Sequence, residues 1–246
     1  MTDFTRQEPV PAAYRTLTSE ETRDLSERIL YEDNHLLIVS KLAGEIVQGD
    51  KTGDEPLSET YKAFLAARDH KPGNVFLGVP HRLDRPVSGI TIFAKTSKAL
   101  ERLAEMFRKG EIHKTYWALV EELPPAPEGT LEDWLVRNEK MNKSFVSHSG
   151  RKDAKLARLH YRLIGHTERY HLLEVQLFTG RHHQIRCQLA ALGCPIKGDL
   201  KYGARRSNPD GSICLHSRSV SLIHPVKKSE ISATAPVPPT WKGVSP

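Results

Sequence analysis

The chain has 246 residues, of which 38% are hydrophobic and 27% charged, enough to bury a core without disulfide or metal staples. Cys187, Cys194 and Cys214 form no CxxC pair, which gives neither a disulfide framework nor a cysteine-rich zinc site. No apolar run reaches the ~18 residues of a membrane span, and the N-terminal stretch lacks the layout of a signal peptide, so a cytoplasmic protein is expected. The net charge of +6, from 36 basic and 30 acidic residues, leans toward a polyanionic partner.

Taken in chain order, residues 1–28 read as a polar arm carrying a short helix over 19–27. Residues 29–48 read as two strands around a turn at Glu32 to Asn34, followed by a turn at Gly44 and a third short strand. Leu57, Tyr61, Phe64 and Leu65 share one face of a helix over 57–68. GITIFAK, 89–95, is rich in β-branched residues and reads as a buried strand. Ser97 is the expected cap of a helix that Gly110 ends, and HKTYWALVE, 113–121, forms a strand. A loop is expected at 124–129 and a polar, basic stretch at 137–158, with strands at 156–164 and 171–178. Thr179-Gly180 turns the chain into a helix over 182–192, and the last strands lie near 213–224.

This order has no regular βαβ alternation and no GxGxxG or GxxxxGK[ST] loop, which argues against a doubly wound nucleotide-binding fold. The expectation is an α+β fold with a mixed, mainly antiparallel sheet. The folded unit is expected to span 29–232, with a C-terminal tail over 233–246.

Three segments are denser in polar groups than packing requires: HRLD at 81–84, KTY at 114–116, and TGRHHQIR at 179–186 followed by GCPIKGD and Tyr202-Gly203. Asp84 between Arg82 and Arg85 has two readings. It can open a turn whose arginines are solvated, or it can be a nucleophile held ionised by a guanidinium, which lowers a carboxyl pKa by roughly 1–3 units. Arg82, Arg85 and the distant Arg186 are the candidate partners. Tyr116 is either a core tyrosine or an aromatic face for a base. Arg186 is either an exposed helical arginine or part of a site. His183 and Cys187 sit at i, i+4, but neither they nor His81 and His182 find a third ligand at metal-binding spacing, so no metal and no other cofactor is expected.

Together these stretches resemble the RluA family of RNA pseudouridine synthases. HRLDRPVSG matches its HRLDxxTSG stretch, KTY its lysine-x-tyrosine strand, GRHHQIR its GRxHQIR helix, and GCPIKGDLKYG its GxPIxGDxxYG turn. LYEDNHLLIVSKLAG at 30–44 and LHSRSVSLIHP at 215–225 resemble its opening and closing strands, so the likeness runs over about 28–232. Val87 stands where the family has Thr and Leu42 where it has Pro. The resemblance implies a pseudouridine synthase fold with an RNA cleft, an isomerase that turns uridine into pseudouridine in ribosomal or transfer RNA, and a monomer. Many relatives carry an N-terminal S4 domain, and about 28 residues before the catalytic region leave no room for one.

By the same resemblance Asp84 is the nucleophile, Arg186 its ion-pair partner, and Tyr116 stacks on the uracil and helps remove the C5 proton. Asp84 serves by adding to the base, attacking the sugar or taking the 2′ proton. Ile185 packs against the base, and His81 and Arg82 shape the loop and contact the flipped nucleotide. Arg85, Lys114, Arg181 and His183 are further RNA contacts, and Lys140, Lys143, Arg151 and Lys152 are expected to clamp phosphates beside the cleft. Two other functions are weighed: a non-catalytic RNA-binding or RNA-folding protein with the same cleft, and a metal-dependent hydrolase using the histidines. Intact Asp84, Tyr116 and Arg186 argue against the first, and the ligand spacing against the second.

Overall fold

A computed structural model of the chain describes residues 14–241 and 243–244. Helix α1 (Ser19–Glu27) leads into β1 (Ile29–Glu32) and β2 (Leu36–Lys41), then α2 (Leu57–Arg68), β3 (Ser88–Ala94), α3 (Ser97–Lys109) and β4 (His113–Val120). The second half runs β5 (Glu128–Asn138), β6 (Lys143–Ser147), β7 (Lys155–His166), β8 (His171–Leu177), α4 (Gln184–Ala191), a 3₁₀ turn (Leu200–Tyr202), β9 (Leu215–Ile223) and β10 (Glu230–Thr234). The strands form one sheet in the order β1-β2-β3-β9-β4-β8-β7-β5-β6, with β10 on β9. All pairings between these strands are antiparallel except β3–β9, as the α+β expectation required.

The LLIVSK run is apolar without alternation because helices cover both sides of β2, and all of its residues are buried. Leu37, Val39 and Phe93 pack against Leu25 of α1 and Tyr61 and Phe64 of α2. Ile38, Ile90 and Ile92 pack against Ala99, Leu103 and Met106 of α3. A further core joins Tyr116, Ala118, Leu173 and Val175 to Ile185 and Leu189 of α4. The arm expected over 1–28 is therefore part of the fold where α1 lies, and residues 1–13 are outside the described region. The expected tail begins inside β10, and Trp241 is buried with its ring 6.0 Å from that of His216.

Local physics fixes several joints. Thr96, not Ser97, caps α3: its hydroxyl accepts from Ala99 N at 3.2 Å, and Ser97 is the first helical residue. Gly110 ends the same helix in the left-handed region, as expected. Asp33 holds the β1–β2 turn by accepting from His35 N at 2.7 Å and Leu36 N at 2.8 Å, and its other oxygen lies 2.9 Å from Nε2 of the fully buried His224 at the end of β9. The strand expected after Gly44 does not form. Leu42 uses the N–H that a proline would lack to bond Glu45, 2.8 Å away, and the chain stays irregular up to α2. The polar stretch expected over 137–158 is instead the β5–β6–β7 meander, whose inner face seats Leu135 and Ala157 against Cys187 and Tyr202.

The β3–β9 contact is short. Only Ser88–His216 and Gly89–Ser217 pair, against six positions in each of β2–β3 and β4–β8. Gly89 has φ of 108°, and a Cβ there would lie 2.3 Å from the Ser217 carbonyl oxygen, so no other residue fits this crossing.

Candidate active site

The HRLD loop runs into β3, which brings Asp84 to the floor of a cleft of about 630 Å³. One wall is the end of α3, Phe107 to Gly110, with Ile112 and Lys114. The other is the turn from Leu177 to Arg186, and Arg137, Tyr116, Pro80, Val87 and Leu215 also line it. This volume is in the range of small-ligand pockets.

Asp84 is partly exposed, with 30% of its side chain accessible, and Arg186 Nη1 lies 3.0 Å from its Oδ2. The Arg186 side chain is 6% exposed and makes its better pair elsewhere: Nε and Nη2 bond Asp199 Oδ2 and Oδ1 at 2.7 and 2.8 Å. Asp199 is itself buried. One guanidinium thus bridges two carboxylates, a bidentate fork on the hidden one and a single bond on the one that faces the cleft. Asp199 and the Asp84 pair raise the arginine above its ordinary value against the cost of burial. The Tyr202 ring lies under Arg186 at 5.1 Å.

Of the three arginines considered as partners of Asp84, only Arg186 reaches it. Arg85 turns the other way, pairing with Asp54 and donating Nε to the Gly44 carbonyl at 3.1 Å, and it does not line the cleft. Arg82 is exposed on the cleft rim. The loop backbone has a support that sequence reasoning missed. Lys41, fully buried, donates its ammonium to Val87 O at 2.7 Å, Leu42 O at 2.8 Å and Arg85 O at 3.2 Å, and so ties the carbonyls on either side of Pro86 to β2. Burial pushes this lysine down to about 8.

Tyr116 is buried on β4 beside Ile185, both in the lining of the cleft. Burial first, with the Asp84 charge in the same direction, pushes its phenol up to about 12 although a hydrogen bond with Ser217 opposes the shift. It enters any reaction at neutral pH as a phenol, not a phenolate. His81 lines the cleft and has a structural task there. Its Nε2 accepts from Ile92 N at 2.9 Å and its ring stacks on Phe107 at 4.6 Å. Burial, then the Lys114 charge, pushes it down to about 3, so it is neutral. Lys114 lies in the cleft with its ammonium 5.2 Å from the Phe107 ring centre, and burial pushes it down to about 8.

His183 caps α4 in the left-handed region at φ of 51° and sits 3.5 Å from Asp84 Oδ2. Arg181 is on the rim and donates Nε to Leu156 O at 2.9 Å. The residues expected to clamp phosphates beside the cleft lie outside its lining. Lys140 is exposed near the β5–β6 turn, Lys143 lies 4.9 Å over the Tyr202 ring, and Arg151 pairs with Asp153 at 2.7 Å in the β6–β7 loop beside the exposed Lys152. None of these lines the cleft, whereas Arg82, Arg108, Lys109, Lys114, Arg137 and Arg181 do. Among the described residues no group of three or more His, Cys, Asp or Glu is placed to hold a metal ion, and no helix is long and apolar enough to cross a membrane.

Asp199 and Tyr202 fall in the GDLKYG stretch, so a signal for them was present without a role. Nothing in the sequence pointed to the end of α3 as a cleft wall.

The sequence pattern of the RNA pseudouridylate synthase family matches residues 35–191. Ribosomal large subunit pseudouridine synthase D of Xanthomonas campestris is 31% identical over 242 residues, covering 93% of this chain and 71% of that protein. Ribosomal large subunit pseudouridine synthase C of Vibrio cholerae is 30% identical over 236 residues, covering 94% and 71%. An uncharacterised RNA pseudouridine synthase of Zymomonas mobilis is 31% identical over 215 residues, covering 87% of this chain and 95% of that one. Among solved structures, human RNA pseudouridylate synthase domain containing 4 superposes with a TM-score of 0.75 at 23% identity, over 89% of this chain and 92% of that one, a likeness of fold.

Proposed function

The chain belongs to the RNA pseudouridylate synthase family, and from that premise we propose that Asp84 is the nucleophile with which it isomerises uridine in structured ribosomal RNA. That it is an RNA pseudouridine synthase, an isomerase acting on RNA uridine, follows from the family itself. The observation that carries the residue assignment is the Asp84–Arg186 pair. A carboxylate on the floor of an open cleft is bonded through one oxygen to a buried guanidinium, which is itself anchored by a second carboxylate.

The reaction breaks the N1–C1′ bond of a uridine and forms a C5–C1′ bond. N1 gains a proton and C5 loses one, so no oxidant, water or leaving group is consumed. The uridine must first leave its stack at a cost of a few kcal/mol. Cations at the cleft rim, Arg82, Arg108, Lys109 and Arg181, are placed to grip the flanking phosphates and offset that cost. Tyr116 and Ile185 supply an aromatic and an aliphatic face for the extruded base. The tyrosine, as a phenol, holds the base and donates a hydrogen bond; it passes the C5 proton on only by giving up its own.

Transfer RNA is the other RNA class considered for this cleft. Ribosomal RNA is favoured because the related proteins of Xanthomonas campestris and Vibrio cholerae are named for the large ribosomal subunit. The test has two parts. Asp84→Asn is expected to bind RNA as the wild type does and to form no pseudouridine in a single turnover. A variant that keeps the wild-type rate removes Asp84 from the chemistry. Protein-free transcripts of large-subunit ribosomal RNA and of transfer RNA, mapped for pseudouridine after incubation, then decide the substrate class, and modification of transfer RNA alone overturns the ribosomal reading.

A further inference from the structure

Tyr202 and His183 form a chain that ends at the nucleophile. The Tyr202 Oη lies 2.8 Å from Ser144 N and 3.0 Å from His183 Nδ1. A backbone N–H is only a donor, so the tyrosine oxygen accepts from Ser144. The phenol proton then has one acceptor among the described residues, His183 Nδ1. A ring nitrogen that accepts carries no proton, and a neutral imidazole must therefore hold its single proton on Nε2.

The ring is neutral. It is buried, and burial pushes it down to about 3, with Arg186 and His182 adding to the shift against the pull of Asp84. Tyr202 is raised well above the usual range, chiefly by burial, and stays protonated. The ring is also fixed in orientation. His182 stacks on it at 3.8 Å with an interplanar angle of 19°, and Tyr202 meets it edge-on at 5.7 Å. The left-handed backbone at His183 is one that histidine and asparagine tolerate better than most residues.

The Nε2 so oriented lies 3.5 Å from Asp84 Oδ2, the same oxygen that Arg186 Nη1 holds at 3.0 Å. At that length no hydrogen bond is made, and a shift of a few tenths of an ångström brings the pair within bonding distance. Asp84 Oδ1 receives no side-chain donor among the described residues.

Building on the reading of Asp84 as the nucleophile, we propose that His183 is a positioning residue: held by Tyr202 as the Nε2–H tautomer, it shares Oδ2 of Asp84 with Arg186 and so leaves Oδ1 as the oxygen that reacts. Both donors reach one oxygen from the first turn of the same helix, Arg186 from within α4 and His183 from its cap. Together they stop the carboxylate from rotating about its Cβ–Cγ bond, which presents a single oxygen to the sugar or base and removes an orientational loss from the barrier.

The experiment uses the full chain labelled with ¹⁵N at histidine and long-range ¹H–¹⁵N correlation spectra. The wild type is expected to show His183 as the Nε2–H tautomer, unchanged from pH 8 to pH 5, in keeping with a pKa of about 3. Tyr202→Phe removes the donor to Nδ1 and is expected to raise the Nδ1–H population and lower the single-turnover rate. His183→Asn keeps the left-handed backbone but is too short to reach Asp84. Its single-turnover rate is expected to fall by about tenfold or more with RNA affinity unchanged, since a small misplacement of reacting groups costs that much. His183→Gln, long enough to bring an amide N–H to Oδ2, is expected to recover most of the loss. A wild-type spectrum with the proton on Nδ1, or a His183→Asn enzyme at the wild-type rate, overturns the proposal. If His183→Asn fails to fold, the wild-type tautomer decides alone. An active Asp84→Asn enzyme overturns the nucleophile assignment instead and leaves the tautomer result standing.

Discussion

Asp84 and Asp199 share one arginine, yet removing the charge of each should cost very different amounts of stability. Asp199→Asn keeps the size of the side chain and removes the charge that two guanidinium nitrogens bond at 2.7 and 2.8 Å. The arginine side chain is 6% exposed, so it stays buried with only the charge of Asp84 to balance its own. Breaking a buried pair by deleting one partner costs about 3–5 kcal/mol, and the surviving bond to Asp84 argues for the lower end, about 3 kcal/mol. For a domain of this size a loss of 1 kcal/mol lowers Tm by about 2–4 °C, which predicts a fall of about 6–12 °C. Asp84→Asn removes a charge from a side chain that is 30% exposed, and the arginine keeps its fork on Asp199. The cost is then that of a weakly held pair, about 1 kcal/mol or less, and a Tm change of about 4 °C at most. Thermal unfolding followed by tryptophan fluorescence measures both. If Asp84→Asn lowers Tm as much as Asp199→Asn does, or if Asp199→Asn melts with the wild type, the division of the arginine into an anchor bond and a working bond is wrong.

Three further outcomes are expected. Lys41→Met strips the Arg85, Val87 and Leu42 carbonyls of their shared donor, so the single-turnover rate should fall while the RNA dissociation constant stays put; an unchanged rate would show that the loop holds itself. Lys114 is pushed down to about 8 in the free enzyme, and a phosphate beside it would raise that value, so RNA binding should take up a proton above pH 8. Affinity should therefore decline as pH rises from 8 toward 10, by at most about tenfold per unit for one proton, and Lys114→Met should flatten that decline. A Lys114→Met enzyme with the wild-type pH profile would exclude a contact. Finally, Arg82→Gln and Arg181→Gln should each reduce the salt slope of RNA binding by about 0.7–0.9, while Arg151→Gln, whose arginine is already paired with Asp153, should leave the slope alone; titrations across a range of salt concentrations test all three.

What could be seen in the sequence was what repeats or clusters locally. Leu57, Tyr61, Phe64 and Leu65 marked α2 to the residue, and the run of Leu36 to Val39 announced a strand, though not its cover on both sides. HRLD and GRHHQIR named Asp84 and Arg186, 102 positions apart, as a pair that the fold does bring together. What depends on a direction in space stayed hidden. Arg82 and Arg85 lie within two residues of Asp84 in sequence, but the turn sends Arg85 toward Asp54 and leaves Arg82 on the rim. The basic residues of 137–158 read as one patch, but Lys140, Arg151 and Lys152 fall in the turns of the β5–β6–β7 meander, while Arg137 lines the cleft. Asp199 could not be distinguished from an ordinary turn aspartate, because its role lies in a burial that only the packing of α4 creates.

The short β3–β9 contact divides the sheet into two plates joined by a narrow seam. Asp84 arrives on the loop leading into β3, on one plate. Tyr116 on β4 and Arg186 on α4 belong to the other. Two paired positions carry little ladder across the break. What holds it shut are the apolar packing of α3 against β2, β3, β9 and β10, and polar rivets set at the catalytic loop itself: Ser88 Oγ to His216 Nδ1 at 2.9 Å, Ile213 N to Pro86 O at 3.0 Å, and Asp84 to Arg186. On the reading proposed above, the carboxylate that reacts is also one of the fasteners of this narrow joint, so closing the joint and seating Asp84 on its arginine are a single geometry.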